Sequence, residues 1–181
     1  MTASPILRIV LVGAESTGKT TLAKQLALRY QTAWVPEYGR ELWEQRGGEL
    51  RFADMVDIAR TQVQREQGSA ASANGLLVCD TTPLTTLLYS EVMFGEVAEE
   101  LQELARRPYA LTLLCAPDFA FVQDGTRRDE PFRSSQHRWY IDALRACGTD
   151  YTLLEGSLAQ RVESALSLVR ASVLRTQAQG S

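Results

Sequence analysis

The eight residues GAESTGKT, Gly13 to Thr20, constrain this chain more than any others. They fit the pattern GxxxxGK[ST] through Gly13, Gly18, Lys19 and Thr20. Their setting is the required one: an apolar run, ILRIVLV, precedes them and an alternating apolar stretch, TLAKQLALRY, follows. A strand that runs through a glycine-rich turn into a helix aims successive backbone N–H groups and the positive end of a helix dipole into one concavity, which suits phosphate. Lys19 is expected to reach the β- and γ-phosphates of a nucleoside triphosphate, and the Thr20 hydroxyl to ligate Mg²⁺. Glu15, Ser16, Thr17 and Thr21 complete the expected nucleotide-binding set.

The remaining segments fit one architecture. LLVCD (76–80), YALTLLCA (109–116), TAWVP (32–36) and YTLLE (151–155) read as further short strands beside the first. Helical spacing is read over 19–30, 41–46, 53–73, from Pro83 onward, 96–107, 135–147 and from Leu158 to Val173. Short apolar strands alternating with amphipathic helices predict a parallel α/β sheet with helices on both faces. The 181 residues, 45% of them hydrophobic, are read as a single domain with a tail fraying over 176–181. In such sheets ligands sit at the carboxyl ends of the strands.

Composition narrows the chemistry. A formal charge of −3 supplies no basic field for nucleic acid. No apolar stretch approaches the length of a membrane span, and the amino-terminal residues lack signal-peptide character, so a cytoplasmic protein is expected. Cys79, Cys115 and Cys147 are scattered and read as small core residues, and the one histidine, His137, offers no zinc site. NKxD, which reads guanine in GTPases, does not occur, so ATP is the expected nucleotide.

Two carboxylates fall at strand ends. Glu37, in VPEYGRELW, is placed to accept the proton of an attacking hydroxyl and hold its oxygen in line with the γ-phosphorus. Capping of the next helix is the structural alternative. Tyr38, Arg40 and Trp43 follow as candidate contacts for a second substrate, although Trp43 reads more readily as core. Asp80 closes an apolar strand as a metal-holding acid does, although it can also cap the helix at Pro83. Thr81 stands beside it as a hydroxyl partner.

The segment from Asp118 to Ser134 is polar, arginine-rich and unpatterned, and reads as a mobile lid. Arg127, Arg128 and Arg133 are its candidates for neutralising charge on a transferring phosphoryl group. Ser157 and Arg161, in the turn after the fifth strand, are expected to lie near the adenine, with capping by Ser157 an equal alternative.

GAESTGKTTLAKQLA, VPEYGRE, DTTPLTT and DGTR together resemble the nicotinamide riboside kinase domain of the NadR family and its single-domain relatives. The resemblance runs over about 6–170. It implies a P-loop NTPase-type kinase fold with strand order 2-3-1-4-5. It also implies ATP- and Mg²⁺-dependent phosphorylation of the 5′-hydroxyl of nicotinamide riboside, in NAD biosynthesis. VPE is similar as well to the motif that holds the general-base glutamate of deoxynucleoside kinases. A separate adenylyltransferase is expected to act on the product. Two other readings stay open at this stage: a nucleotide-dependent regulator with slow hydrolysis, and a kinase acting on a deoxynucleoside or another ribosyl compound.

Overall fold

The computed structural model describes residues 6–123, 125 and 127–179. Asp124 and Thr126 of DGTR, and the end of the expected tail, lie outside them. Five strands, β1 (Leu7–Val12), β2 (Trp34–Val35), β3 (Leu76–Asp80), β4 (Leu111–Cys115) and β5 (Thr152–Leu154), form one parallel sheet in the order β2-β3-β1-β4-β5. This is the expected α/β P-loop arrangement. The most apolar strand, β1, takes the centre, where both faces and both edges are covered.

Alternate residues of the strands enter different layers, as the two-residue period of a strand requires. Ile9 and Leu11 of β1, Val78 of β3 and Leu113 of β4 pack against α1 (Lys19–Tyr30) and α7 (Leu158–Gln179), through Leu22, Leu26, Ala165 and Val169. Val10, Val12, Leu77, Cys79 and Leu114 face the other way, toward Leu84 and Leu88 of α4 (Pro83–Phe94) and Tyr140 and Leu144 of α6 (Glu130–Ala146). A third apolar cluster joins α2 (Tyr38–Gln45), α3 (Phe52–Ala70) and α5 (Glu99–Ala105) through Leu42, Met55, Ile58, Ala59 and Leu101. Through α3 it adjoins β2 and β3, and Met55 and Ile58 carry it into a cavity lining.

Local chemistry sets the element ends. Thr82 caps α4 by accepting the Leu84 N–H at 2.9 Å, and Pro83 occupies the first turn, where its missing donor costs nothing. Asp129 caps α6 by accepting the Phe132 N–H at 2.7 Å. That cap starts α6 at Glu130, five residues before the expected helix. Arg133 therefore belongs to the helix and not to a lid. It is 3% exposed, donates to the carbonyls of Phe119 (2.9 Å) and Pro117 (3.2 Å), and pairs with Glu130 at 2.8 Å. The closing helix runs to Gln179. Cys79 and Cys115 are core residues as read, but Cys147 is exposed.

Candidate functional site

The phosphate loop depends on its glycines. Gly13 has φ 141°, and a Cβ there would stand 2.7 Å from the Cys115 carbonyl oxygen, so the loop passes too close to β4 for any side chain. Gly18, at φ 76°, opens α1. Ser16 adopts a left-handed φ of 54° between them. The Lys19 ammonium donates to the carbonyls of Gly13 (2.8 Å) and Ala14 (2.7 Å), folding its stem across the loop. Buried Thr17 donates to Ala14 O at 2.8 Å and stiffens the same turn.

Beside the loop, Thr20 Oγ1 donates to Asp80 Oδ2 at 2.6 Å, joining the first turn of α1 to the end of β3. Asp80 is 1% exposed, and its other oxygen, Oδ1, is buried without a hydrogen-bond partner among the described residues. Burial pushes this carboxyl above its ordinary range, opposed by the bond from Thr20 and by the Lys19 charge. A carboxylate with an orphaned oxygen next to a threonine hydroxyl is a hard-oxygen pair that fits Mg²⁺.

Loop and sheet ends open into one cavity of about 580 Å³. Its phosphate side is lined by residues 13 and 15–21 except Ala14, and Gly125, Arg127 and Arg128 border it. Glu37 lines the same cavity. It sits at the N-cap position of α2, but its carboxyl does not cap the helix. Loss of solvation raises the Glu37 pKa, and Lys19 and Arg40 pull it back while Asp80 and Glu15 push it further up. A carboxyl held above its usual range and lining a cavity is suited to taking up a proton from a bound group.

Beyond Glu37 the walls change character. Trp43, Leu50, Met55 and Ile58 supply apolar surface from the helical layer, with Arg40 at the rim. Thr81, Thr85, Tyr89 and Tyr140 belong to the same lining. Thr81 bends the chain after Asp80 with φ 79°, which is strained for a β-branched residue, and donates to Thr85, whose Oγ1 shares a 2.7 Å hydrogen bond with Tyr140.

The lid is tied to the phosphate loop. Ser16 Oγ accepts the Val122 N–H at 3.1 Å and a bond from Arg127 at 3.4 Å. Glu15 Oε2 accepts the Arg128 N–H at 2.9 Å, and Glu15 Oε1 accepts the Tyr89 hydroxyl at 2.7 Å. The Glu15 N–H in turn donates to Gln136 Oε1 at 2.7 Å. The Arg128 guanidinium stacks 4.4 Å from the Phe132 ring centroid.

Three expected contacts fall elsewhere. Tyr38 does not line the cavity; its ring lies under the Arg65 guanidinium at 4.4 Å. Arg161 is 1% exposed and donates to the carbonyls of Thr17 and Ala116, both at 3.0 Å, while pairing with Asp118. It braces the phosphate loop from beneath because it is enclosed by backbone acceptors. Ser157 bonds Gln160 at the start of α7, the capping alternative. Conversely, Gln62, Tyr89, Gln136 and Tyr140 line the cavity although nothing in the sequence reading singled them out for it. A glutamine among Met55, Ile58 and Ala59 on the inner stripe of a helix was a usable signal. The others meet only through tertiary packing.

A family model described as an AAA domain matches residues 8–161. The trifunctional NAD biosynthesis/regulator protein NadR of Escherichia coli (strain K12) is 29% identical over 124 residues, which cover 66% of this chain and 30% of that protein. The chain thus matches less than a third of that relative's length. Among solved structures, a NadR protein in complex with NR superposes with a TM-score of 0.78 at 24% identity, covering 93% of this chain and 52% of that one. Thymidylate kinase from Ehrlichia chaffeensis superposes at 0.67 and 11% identity, over 91% of this chain and all (100%) of that one. The shared architecture is that of P-loop kinases.

Proposed function

The chain belongs to the AAA domain family, and on that premise we propose that it is an ATP-dependent kinase that phosphorylates the 5′-hydroxyl of a nucleoside, nicotinamide riboside first among them. One observation carries the reading: Glu37 lines the same cavity of about 580 Å³ as the phosphate loop, together with apolar residues such as Trp43, Leu50, Met55 and Ile58 that no phosphate needs. A hydrolase needs only water at that position. A lobe with tryptophan and aliphatic surface is suited to a planar base. Resemblance of VPEYGRE to the NadR kinase segment and the likeness to NadR and thymidylate kinase support the same choice.

In this mechanism the loop N–H groups and Lys19 hold the β- and γ-phosphates, and Lys19 exchanges its bonds to Gly13 and Ala14 for phosphate oxygens. Thr20 and Asp80 are the residues that would hold Mg²⁺, which would offset phosphate charge. Glu37 accepts the proton of the acceptor hydroxyl and fixes its oxygen in line with the γ-phosphorus. Arg127 and Arg128, which line the cavity, spread the charge of the transferring group, while the lid excludes water. The reaction is placed in the cytoplasm, with a separate adenylyltransferase consuming the nucleotide product.

The test is incubation with ATP, Mg²⁺ and a panel of nicotinamide riboside, nicotinic acid riboside and the common nucleosides, read by mass for a new monophosphate. Phosphorylation of nicotinamide riboside is the expected result. ATP hydrolysis at a slow rate that no acceptor changes would overturn the kinase reading in favour of a nucleotide-dependent regulator.

A further inference from the structure

The cavity wall formed by α3 holds a polar group with nothing to bond. Gln62 is 2% exposed and lines the cavity together with Met55 and Ile58 of the same helix face. Its Oε1 accepts the backbone N–H of Tyr38 at 2.9 Å. That bond orients the amide, because an N–H donor can be met only by the carbonyl end. The NH₂ end is thereby left over. Nε2 is buried and has no hydrogen-bond partner among the described residues. Native proteins keep few such donors, since each costs the solvation it has lost. The amide is anchored through Tyr38, directly after Glu37, so it is held at a defined place relative to the reacting end of the cavity.

We propose that Gln62 is a specificity-determining residue that reads the acceptor's base. Nε2 donates to an exocyclic carbonyl oxygen on the ring, while Trp43, Leu50, Met55 and Ile58 cover its faces. This rests on the nucleoside-kinase reading above. The acceptor class is a nucleoside whose planar base carries such a carbonyl; in nicotinamide riboside it is the carboxamide oxygen. A base of the same shape without that oxygen binds less well because it leaves the donor buried and unpaired, while the carbonyl gains a hydrogen bond there.

The test compares nicotinamide riboside with pyridinium riboside, which has the same ring and charge but no carboxamide. Monophosphate formation is measured with wild type, Gln62→Glu and Gln62→Met. Gln62→Glu retains an oxygen for the Tyr38 N–H but, when ionised, has no donor; Gln62→Met has neither. Because both probes carry the same charge, any attraction to the new carboxylate cancels in their ratio. Wild type is expected to favour nicotinamide riboside by about tenfold to a hundredfold in kcat/KM. Both variants should lose that preference through a higher KM for nicotinamide riboside, and in Gln62→Glu it should partly return as the pH is lowered and the carboxyl regains a proton to donate. A wild type that treats the two probes alike overturns the inference, even if neither variant folds. So does a folded Gln62→Met variant that keeps the wild-type preference, since methionine has no donor at any pH. Failure of wild type to phosphorylate either probe would instead overturn the kinase reading for this acceptor, and this inference with it.

Discussion

Replacing Glu37 by glutamine keeps the shape of the side chain and removes its ability to take a proton. Glu37 lines the cavity without capping α2, so the exchange leaves the helix start intact. The Thr20–Asp80 pair and the bonds of Lys19 involve other atoms. ATP affinity should therefore change by less than about threefold, while loss of a general base lowers turnover by about 10²–10⁴. That range corresponds to about 3–5 kcal/mol on the barrier. Stability should move the opposite way. Burial raises the Glu37 pKa above the usual 4.5, so the folded state holds that proton more tightly than the unfolded chain does. The stabilisation this gives wild type is complete below the unfolded pKa and is lost as pH rises through the folded one. Near neutral pH the glutamine variant, which has no charge to bury, should melt at a higher temperature than wild type, an advantage that shrinks as the pH is lowered toward the unfolded pKa. The assays are steady-state kinetics with nicotinamide riboside, nucleotide binding by calorimetry and thermal melting across pH. A variant with wild-type kcat refutes the base assignment; one that melts lower at neutral pH refutes the burial argument.

Other perturbations test separate parts of the account. Gly13→Ala should cost roughly 1–3 kcal/mol in urea unfolding and abolish nucleotide binding, because the new Cβ meets the Cys115 carbonyl at 2.7 Å. Leu26→Ala removes a fully buried side chain from the α1–sheet interface and should cost about 2–5 kcal/mol in the same assay. Glu15→Ala unties Arg128 and Tyr89 from the phosphate loop, and should raise the share of ATP lost to water, measured as phosphate released per nucleoside phosphorylated. Activity should fall at acid pH with a midpoint above that of an ordinary glutamate, as Glu37 takes up its proton, and Glu37→Gln should lack that limb.

The sheet was readable because its cause is local. Five short apolar runs, four of them followed by a glycine or carboxylate and the fourth in chain order by Pro117, read as buried strands, and the phosphate loop placed β1 against α1. The strand-end positions of Glu37 and Asp80 followed from the same pattern. The arginines were not readable in this way. Arg133 and Arg161 look like lid or ligand contacts in sequence, yet both are almost fully buried and held mainly by backbone carbonyls. Nothing in a linear pattern distinguishes an arginine that binds carbonyls from one that binds phosphate. The start of α6 was hidden for a related reason: Asp129 and Pro131 are good first-turn signals, but the surrounding charges suggested a loop. Tyr89 and Gln136 reach the site from α4 and α6, whose approach depends on the packed core.

The central claim is that the terminal phosphoryl group passes to an alcohol and not to water. Counting ADP, inorganic phosphate and nucleoside monophosphate in one reaction with nicotinamide riboside measures this directly. The account predicts ADP and monophosphate in equal amounts with little free phosphate. ADP matched by free phosphate, with no monophosphate, would contradict it.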